Sequence, residues 1–508
     1  MAFSGIQRPQ RIGLGGSMLG PVLVLWGIVF LTALGFIWYS NEIGTSYRNF
    51  YVLPWVLLTA IVVLLPSIYL FWKGKLDPFH PLVFATWSYI FPAFVVGGII
   101  VAFDWVEWFF ISFIEDPQYN IPLTLVYISI GFLGLTAGYF LPVGRWFADR
   151  IEPFMPKKEW NSDQVWIAGY ALIIIGSGLN IFGFLQGLIG FQRNIQIEAF
   201  DGLISFLVIV LTVGGLILWL AVFTTKQRSG IFYLTIGILL ALIPLRMALL
   251  GSRSSMIIGL LPIAFAFYHS GRKLKWQHTT VFGIVAALAL FIGVAYGTTF
   301  RNIKGSEARV TAGDYMGQAA ATIDYLLDED PTIVFGDTIQ ALANRIENLT
   351  SVAIVVSNYE KLAPYEAAYG LENNILNDLY TSFVPRFLWP EKPKTSDPRA
   401  YSDLYFSYGD NSFAISPFAD LLRNFGPIGI PIGMMFLGFY LRCIYAALIE
   451  TPYSTMWRKV AYFMLLTVVS YEAFFAIIFP SVIRTVFIVA LALILANFLL
   501  MRRNVTNV

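Results

Sequence analysis

Apolar runs of helix length dominate this chain. A bilayer crossing needs about 20 apolar residues. On that measure the runs predict about twelve spans, with approximate limits 18–40, 52–72, 82–103, 123–141, 165–188, 203–225, 231–251, 254–270, 279–299, 426–449, 460–480 and 482–501. None alternates with the dyad period of a barrel strand, and a backbone in lipid must satisfy its own polar groups, so the spans are helices. The pattern breaks once. Residues 300–425 are polar and punctuated by Pro and Gly, far longer than a connection between spans requires. The predicted fold is an all-α polytopic membrane protein in three parts. These are a membrane domain over 1–299 with spans one to nine, a large helical extracytoplasmic loop over 300–425, and spans ten to twelve over 426–508.

Flanking charge sets the expected direction. With the N-terminus inside, the inner segments carry 17 basic residues: Arg8, Arg11, Lys73, Lys75, Arg145, Arg150, Lys157, Lys158, Lys226, Arg228, Arg272, Lys273, Lys275, Arg458, Lys459, Arg502 and Arg503. The short outer segments and nearby helix ends carry five: Arg48, Arg193, Arg246, Arg253 and Arg484. The positive-inside rule then puts both termini in the cytoplasm and the long loop outside. The first span follows a basic stretch but has no small-residue cleavage site, so it reads as a retained helix.

Composition agrees with that picture: 57% hydrophobic, 13% charged, mean hydropathy +0.69. Net charge +2 offers no polyanion-binding surface, so nucleic acid is not an expected partner. The single cysteine, Cys443, permits no intramolecular disulfide. The loop contains no His, and His80, His269 and His278 fall on or near the inner side. No Ser–His–Asp set, outer His-type metal cluster or P-loop can be built, so no metal, cofactor or nucleotide hydrolysis is expected.

Arginines, carboxylates and aromatics remain for any outer chemistry. Arg246 lies inside the seventh span and Arg253 seven residues on, about 10 Å apart on one face if the helix continues. They read either as snorkelling side chains or as a polyphosphate clamp, since guanidinium binds phosphate bidentately. Glu472 falls within the eleventh span, as half of a buried pair or as a catalytic group, and Arg484 follows Pro480 at an outer turn. In the loop, 337–359 reads as one amphipathic helix capped by Asp337, presenting Arg345 and Asn348. The Pro-dense stretch after it presents Arg386, Trp389 and Lys392, suited to sugar and phosphate or to a rigid packed turn. Ser416-Pro417 starts a helix with Asp420 and Arg423 in its first two turns. Asp420 is the first candidate for a general base and Glu472 the second; the alternative for Asp420 is a charge on the helix dipole.

Four segments in order resemble the bacterial oligosaccharide repeat-unit polymerases, the Wzy-type O-antigen polymerase family. They are LLGSRSS at 249–255, the Arg345 helix followed by AAYG at 367–370, FVPRFLWPEKP at 383–393, and SPFADLLRNFGPIGIPIG at 416–433. The resemblance covers roughly 230–450. It implies a metal-independent, GT-C-like glycosyltransferase of the bacterial inner membrane. Such enzymes take a glycan from undecaprenyl pyrophosphate and join it to a second lipid-linked repeat unit. It also leaves room for a chain-length regulator as a partner. The Arg-x10-Gly pattern of some members is absent: Arg301 to Gly313 and Arg399 to Gly409 miss it by one residue either way. O-antigen ligases share the layout but use a loop histidine. A lipid-glycan flippase is the competing reading of another class, although transporters gather polar groups at the midplane.

Overall fold

The computed structural model describes residues 47–105, 108–157, 159–160, 162–186, 209–225, 229–250, 255–272, 275–304, 312–384, 388–393, 396–409, 413 and 415–505. The expected first span, Arg253 and Arg386 lie outside the described residues. Every regular element described is helical. Among the described residues, eight helices are long and apolar enough to cross a membrane, and two more, Ile209–Thr224 and Ile258–His269, are apolar but shorter. In chain order we label α1 Leu53–Trp72, α2 Pro81–Ala102, α3 Pro117–Phe140, α4 Ser162–Leu185, α5 Ile209–Thr224, α6 Gly230–Leu250, α7 Ser255–His269 and α8 Trp276–Lys304. The helices of the long loop follow, beginning with α9 Ala312–Asp328, α10 Pro331–Ile346, α11 Leu349–Leu362 and α12 Asn374–Thr381. Then come α13 Pro398–Phe406, α14 Pro417–Leu448, α15 Met456–Thr467 and α16 Ile478–Val505.

The seam between α3 and α14 is made by small residues. A side chain at Gly134, Gly138 or Gly438 would run into the backbone of the facing helix. Close backbone approach through glycine is how helices associate where lipid removes most of the hydrophobic drive. Phe418 closes this seam at one end, edge-on to Phe94 at 5.7 Å. Leu57, Ile61, Leu65 and Ile68 of α1 stay exposed, as lipid-facing positions do.

Two local features depart from the sequence pattern. Residues 460–480 do not form one span. α15 stops at Thr467 and the chain runs without α-helix until Ile478. Its freed backbone groups find partners elsewhere: the Glu472 carbonyl accepts from the Ile415 and Ser416 amides at 3.2 and 3.5 Å. Ala476 N–H donates to Asp420 Oδ2 at 3.0 Å. Broken backbone at membrane depth is tolerated where protein buries it. Likewise, 337–359 is not one helix. α10 is capped by Asp330 rather than Asp337, ends at Ile346, and α11 restarts at Leu349.

Candidate functional site

α14 starts at Ser416, which has φ of 68° and aims Oγ at the Phe418 amide. A positive φ outside glycine is strained, and the two bonds to the Glu472 carbonyl hold it there. Gly426, at φ 68° and ψ −170°, then breaks the helix before Pro427. Only glycine adopts that conformation readily, so the first nine residues swing off the long membrane segment as a separate arm.

That arm carries a buried polar cluster. Arg423 Nη1 donates to Glu366 Oε1 at 2.6 Å, and Nη2 donates to Asp420 Oδ1 at 2.9 Å and Asn374 Oδ1 at 3.1 Å. Tyr405 donates its hydroxyl to the same Glu366 oxygen at 2.9 Å. The side chains of Arg423 and Asp420 are inaccessible. Asp420 is saturated: Oδ1 also accepts from Asn374 and Asn424, and Oδ2 takes the Ala476 amide. A carboxylate so fully engaged is a clasp joining α12, α14 and the broken segment. The Ser396 hydroxyl extends the network to Asp378 Oδ2 at 2.5 Å.

A second, reachable group sits above it. Arg345, at the last turn of α10, pairs with Glu472; their side chains keep 44% and 35% of their accessibility. The break between α10 and α11 exposes Glu347 and Asn348 to a π-helical stretch of α2, Thr86–Val96, which contains Pro92. A π segment re-aims side chains and carbonyls, and is frequent at functional sites. Here Ala93 C=O accepts from Asn348 N–H at 3.3 Å, and Asn348 Nδ2 donates to the Tyr89 hydroxyl at 2.6 Å. Tyr89 lies in the field of Glu472, Arg345 and Glu347 together. Glu347 accepts from the Thr350 amide at 2.7 Å and the Thr350 hydroxyl at 2.5 Å. It retains some surface yet lies deep among protein atoms, and burial outweighs these bonds, pushing its carboxyl up to about 7.

The structure therefore brings Arg345, Glu472, Asp420 and Arg423 to one end of the bundle. Glu472 is neither helical nor buried, against the sequence expectation, because the span predicted around it is interrupted. Lys392 is turned inward. Its Nζ donates to the Thr381 and Val384 carbonyls at 2.6 and 3.3 Å, closing the end of α12. Trp389 is exposed on the same turn. Arg246 donates to the Thr212 hydroxyl of α5 at 3.1 Å, so it is engaged between membrane helices. Arg484 stands early in α16. Glu347, Tyr89, Glu366, Asn374 and Asn424 were missed. Only Glu366 carries a sequence signal, standing one residue before the AAYG segment at 367–370.

No curated protein and no solved structure matches this chain. Residues 179–499 match a family described as a domain of unknown function (DUF8712). That match takes in α5 to α15 and most of α16, including every site residue named above except Tyr89, and well over half of the chain: the protein is a helical membrane protein that belongs to the DUF8712 family.

Proposed function

We propose that this protein is a membrane glycosyltransferase. It joins undecaprenyl-pyrophosphate-linked oligosaccharide repeat units into a surface polysaccharide on the outer face of a bacterial inner membrane. In this reading the full chain has twelve spans, a GT-C-like architecture and both termini cytoplasmic. The observation that carries it is the reachable Arg345–Glu472 pair beside Glu347, mounted over the buried Arg423 clasp at one end of the bundle. A lipid-borne pyrophosphate needs cations at membrane level, and a sugar hydroxyl needs a carboxylate to take its proton.

The roles follow from reach and charge. Arg345 and, from the sequence, Arg253 and Arg386 bind the donor pyrophosphate. Glu472 holds the Arg345 fork in place. Glu347 accepts the proton of the attacking acceptor hydroxyl as the new glycosidic bond forms. The old anomeric C–O bond breaks and its electrons leave on the pyrophosphate. A base with a pKa near 7 is suited to this task at neutral pH. Asp420 and Arg423 position α12 and the broken segment. Trp389 offers an aromatic face to sugar.

Deletion in the native host tests the reading. We expect single repeat units, on lipid or capping the surface glycan, with export intact. Units trapped on the cytoplasmic face would make the protein a flippase. Full-length polymer that fails to transfer to its acceptor would make it a ligase.

A further inference from the structure

Helix α9 has three distinct faces at helical spacing. Tyr315, Thr322 and Leu326 pack inward. Asp324 and Asp328 line the side farthest from them. Between these runs a third stripe, Met316, Ala320, Ile323 and Leu327, is exposed, Leu327 at 77%. α10 repeats the arrangement: Val334 and Thr338 face inward, while Phe335 and Ile339 are exposed. An apolar stripe of this length is unusual on a water-facing loop.

The neighbouring membrane helix shows what covers it. α8 exposes Val281, Ile284, Val285, Leu288 and Ile292 along one line, and Ile303 continues that line beyond the apolar core of the helix. Phe335 of α10 touches Phe291 of α8, with ring centroids 5.6 Å apart. The exposed stripe of the hairpin thus joins the lipid-facing stripe of a membrane-spanning helix. A cavity of about 280 Å³ lies beneath the junction, lined by Thr298, Asn302, Tyr325, Asp337 and Thr338 among others.

We infer that the α9–α10 hairpin is bedded in the bilayer interface beside α8, with its Met316–Leu327 stripe in lipid and its aspartates in water. Much of what the sequence presents as a polar loop is then a monotopic membrane element. α9 contains no Lys or Arg, so apolar burial and not attraction to anionic headgroups drives the contact. The inference is independent of the proposed enzymatic activity.

Nitroxide labels on the full-length protein test it. With Cys443→Ser as background, labels go at Leu327→Cys and Phe335→Cys, with Asp324→Cys and Asp328→Cys as counterparts. The protein is reconstituted into phosphatidylcholine vesicles. Relaxation by oxygen is compared with relaxation by a water-soluble nickel chelate. The labels at 327 and 335 are expected to favour oxygen severalfold over those at 324 and 328. Adding phosphatidylglycerol should leave that ratio unchanged. Nickel access at 327 equal to that at 328 would place the stripe in water and overturn the inference. Loss of access to both reagents, with dipolar broadening between labels, would assign the stripe to a second copy and overturn it equally. Should either label disturb folding, Ile323→Cys reads the same stripe.

Discussion

Both ends of α14 carry buried charge, and they are organised differently. At the far end from the arm, backbone groups share the work with separate ion pairs, Arg458 with Glu152 at 3.2 Å and Arg442 with Glu450 at 2.8 Å. Asp77 accepts from the Phe79 amide at 2.8 Å and the Tyr445 hydroxyl at 3.1 Å. Lys459 donates to the His269 carbonyl at 2.7 Å, and Arg458 to the Ala447 carbonyl at 3.1 Å. His80 packs against the rings of Tyr139 and Tyr445, and burial, with Arg442 nearby, pushes it down to about 3. These contacts close helix ends. At the arm, by contrast, side chains from three segments, Glu366, Asn374 and Asp420, converge on Arg423, and a reachable ion pair stands beside them. Buried polarity alone does not mark a site here. Several buried side chains converging on one arginine, next to a reachable ion pair, do.

Arg423→Ala should give the largest effect. It strands Glu366 and Asp420, both buried, and loss of one partner from such a pair costs about 3–5 kcal/mol. Thermal unfolding in detergent should show it, together with loss of polymer. Arg458→Ala, at the other end, should lower stability without changing chain length at matched expression. Equal loss of polymer in both would erase the distinction between the two ends.

Glu347→Gln keeps the shape of the side chain and removes the proton acceptor. Chain extension by purified enzyme should fall roughly 10²–10⁴-fold, the usual range for a general base. In the wild type, extension should rise with pH through about 7 as the carboxyl deprotonates, and that limb should vanish in the variant. The linkage has the opposite sign. A carboxyl raised from 4.5 to about 7 on folding lends stability below about 4.5 that is lost as pH rises through about 7. Glu347→Gln should flatten that slope.

Arg345→Lys tests the reachable ion pair. The planar fork of arginine suits phosphate, and lysine supplies a point charge. Extension should drop about tenfold or more, in line with roughly 1.5–3 kcal/mol for a charged hydrogen bond. Stability should move by no more than about 1 kcal/mol, because the pair with Glu472 is exposed.

The smallest effect belongs to Asp77→Asn. Burial raises this carboxyl to about 6 against the bonds from Phe79 and Tyr445. Native stability should therefore fall as pH rises from about 4 to about 6, and the variant should lack that slope. Chain length should not change. A loss of polymer here would extend the site to the far end of the bundle.

Hydropathy alone located the apolar helices because lipid demands long, internally bonded segments whatever packs against them. The runs at 52–72, 82–103, 123–141 and 426–449 correspond to helices of similar extent. The helical character of the stretch 300–425 was legible too, as was the helix start after Ser416 that carries Asp420 and Arg423 in its first two turns. Tertiary structure decided the rest. The break at 468–477 holds because Ile415, Ser416 and Asp420, some fifty residues away, take up its backbone groups, and a hydropathy window cannot see such partners. Glu347 looks like any loop carboxylate until α2 covers it, and Asp420 like any helix-terminal charge until Asn374, Arg423, Asn424 and Ala476 saturate it. Reach and pKa depend on what surrounds a group in space, and those neighbours come from distant parts of the chain.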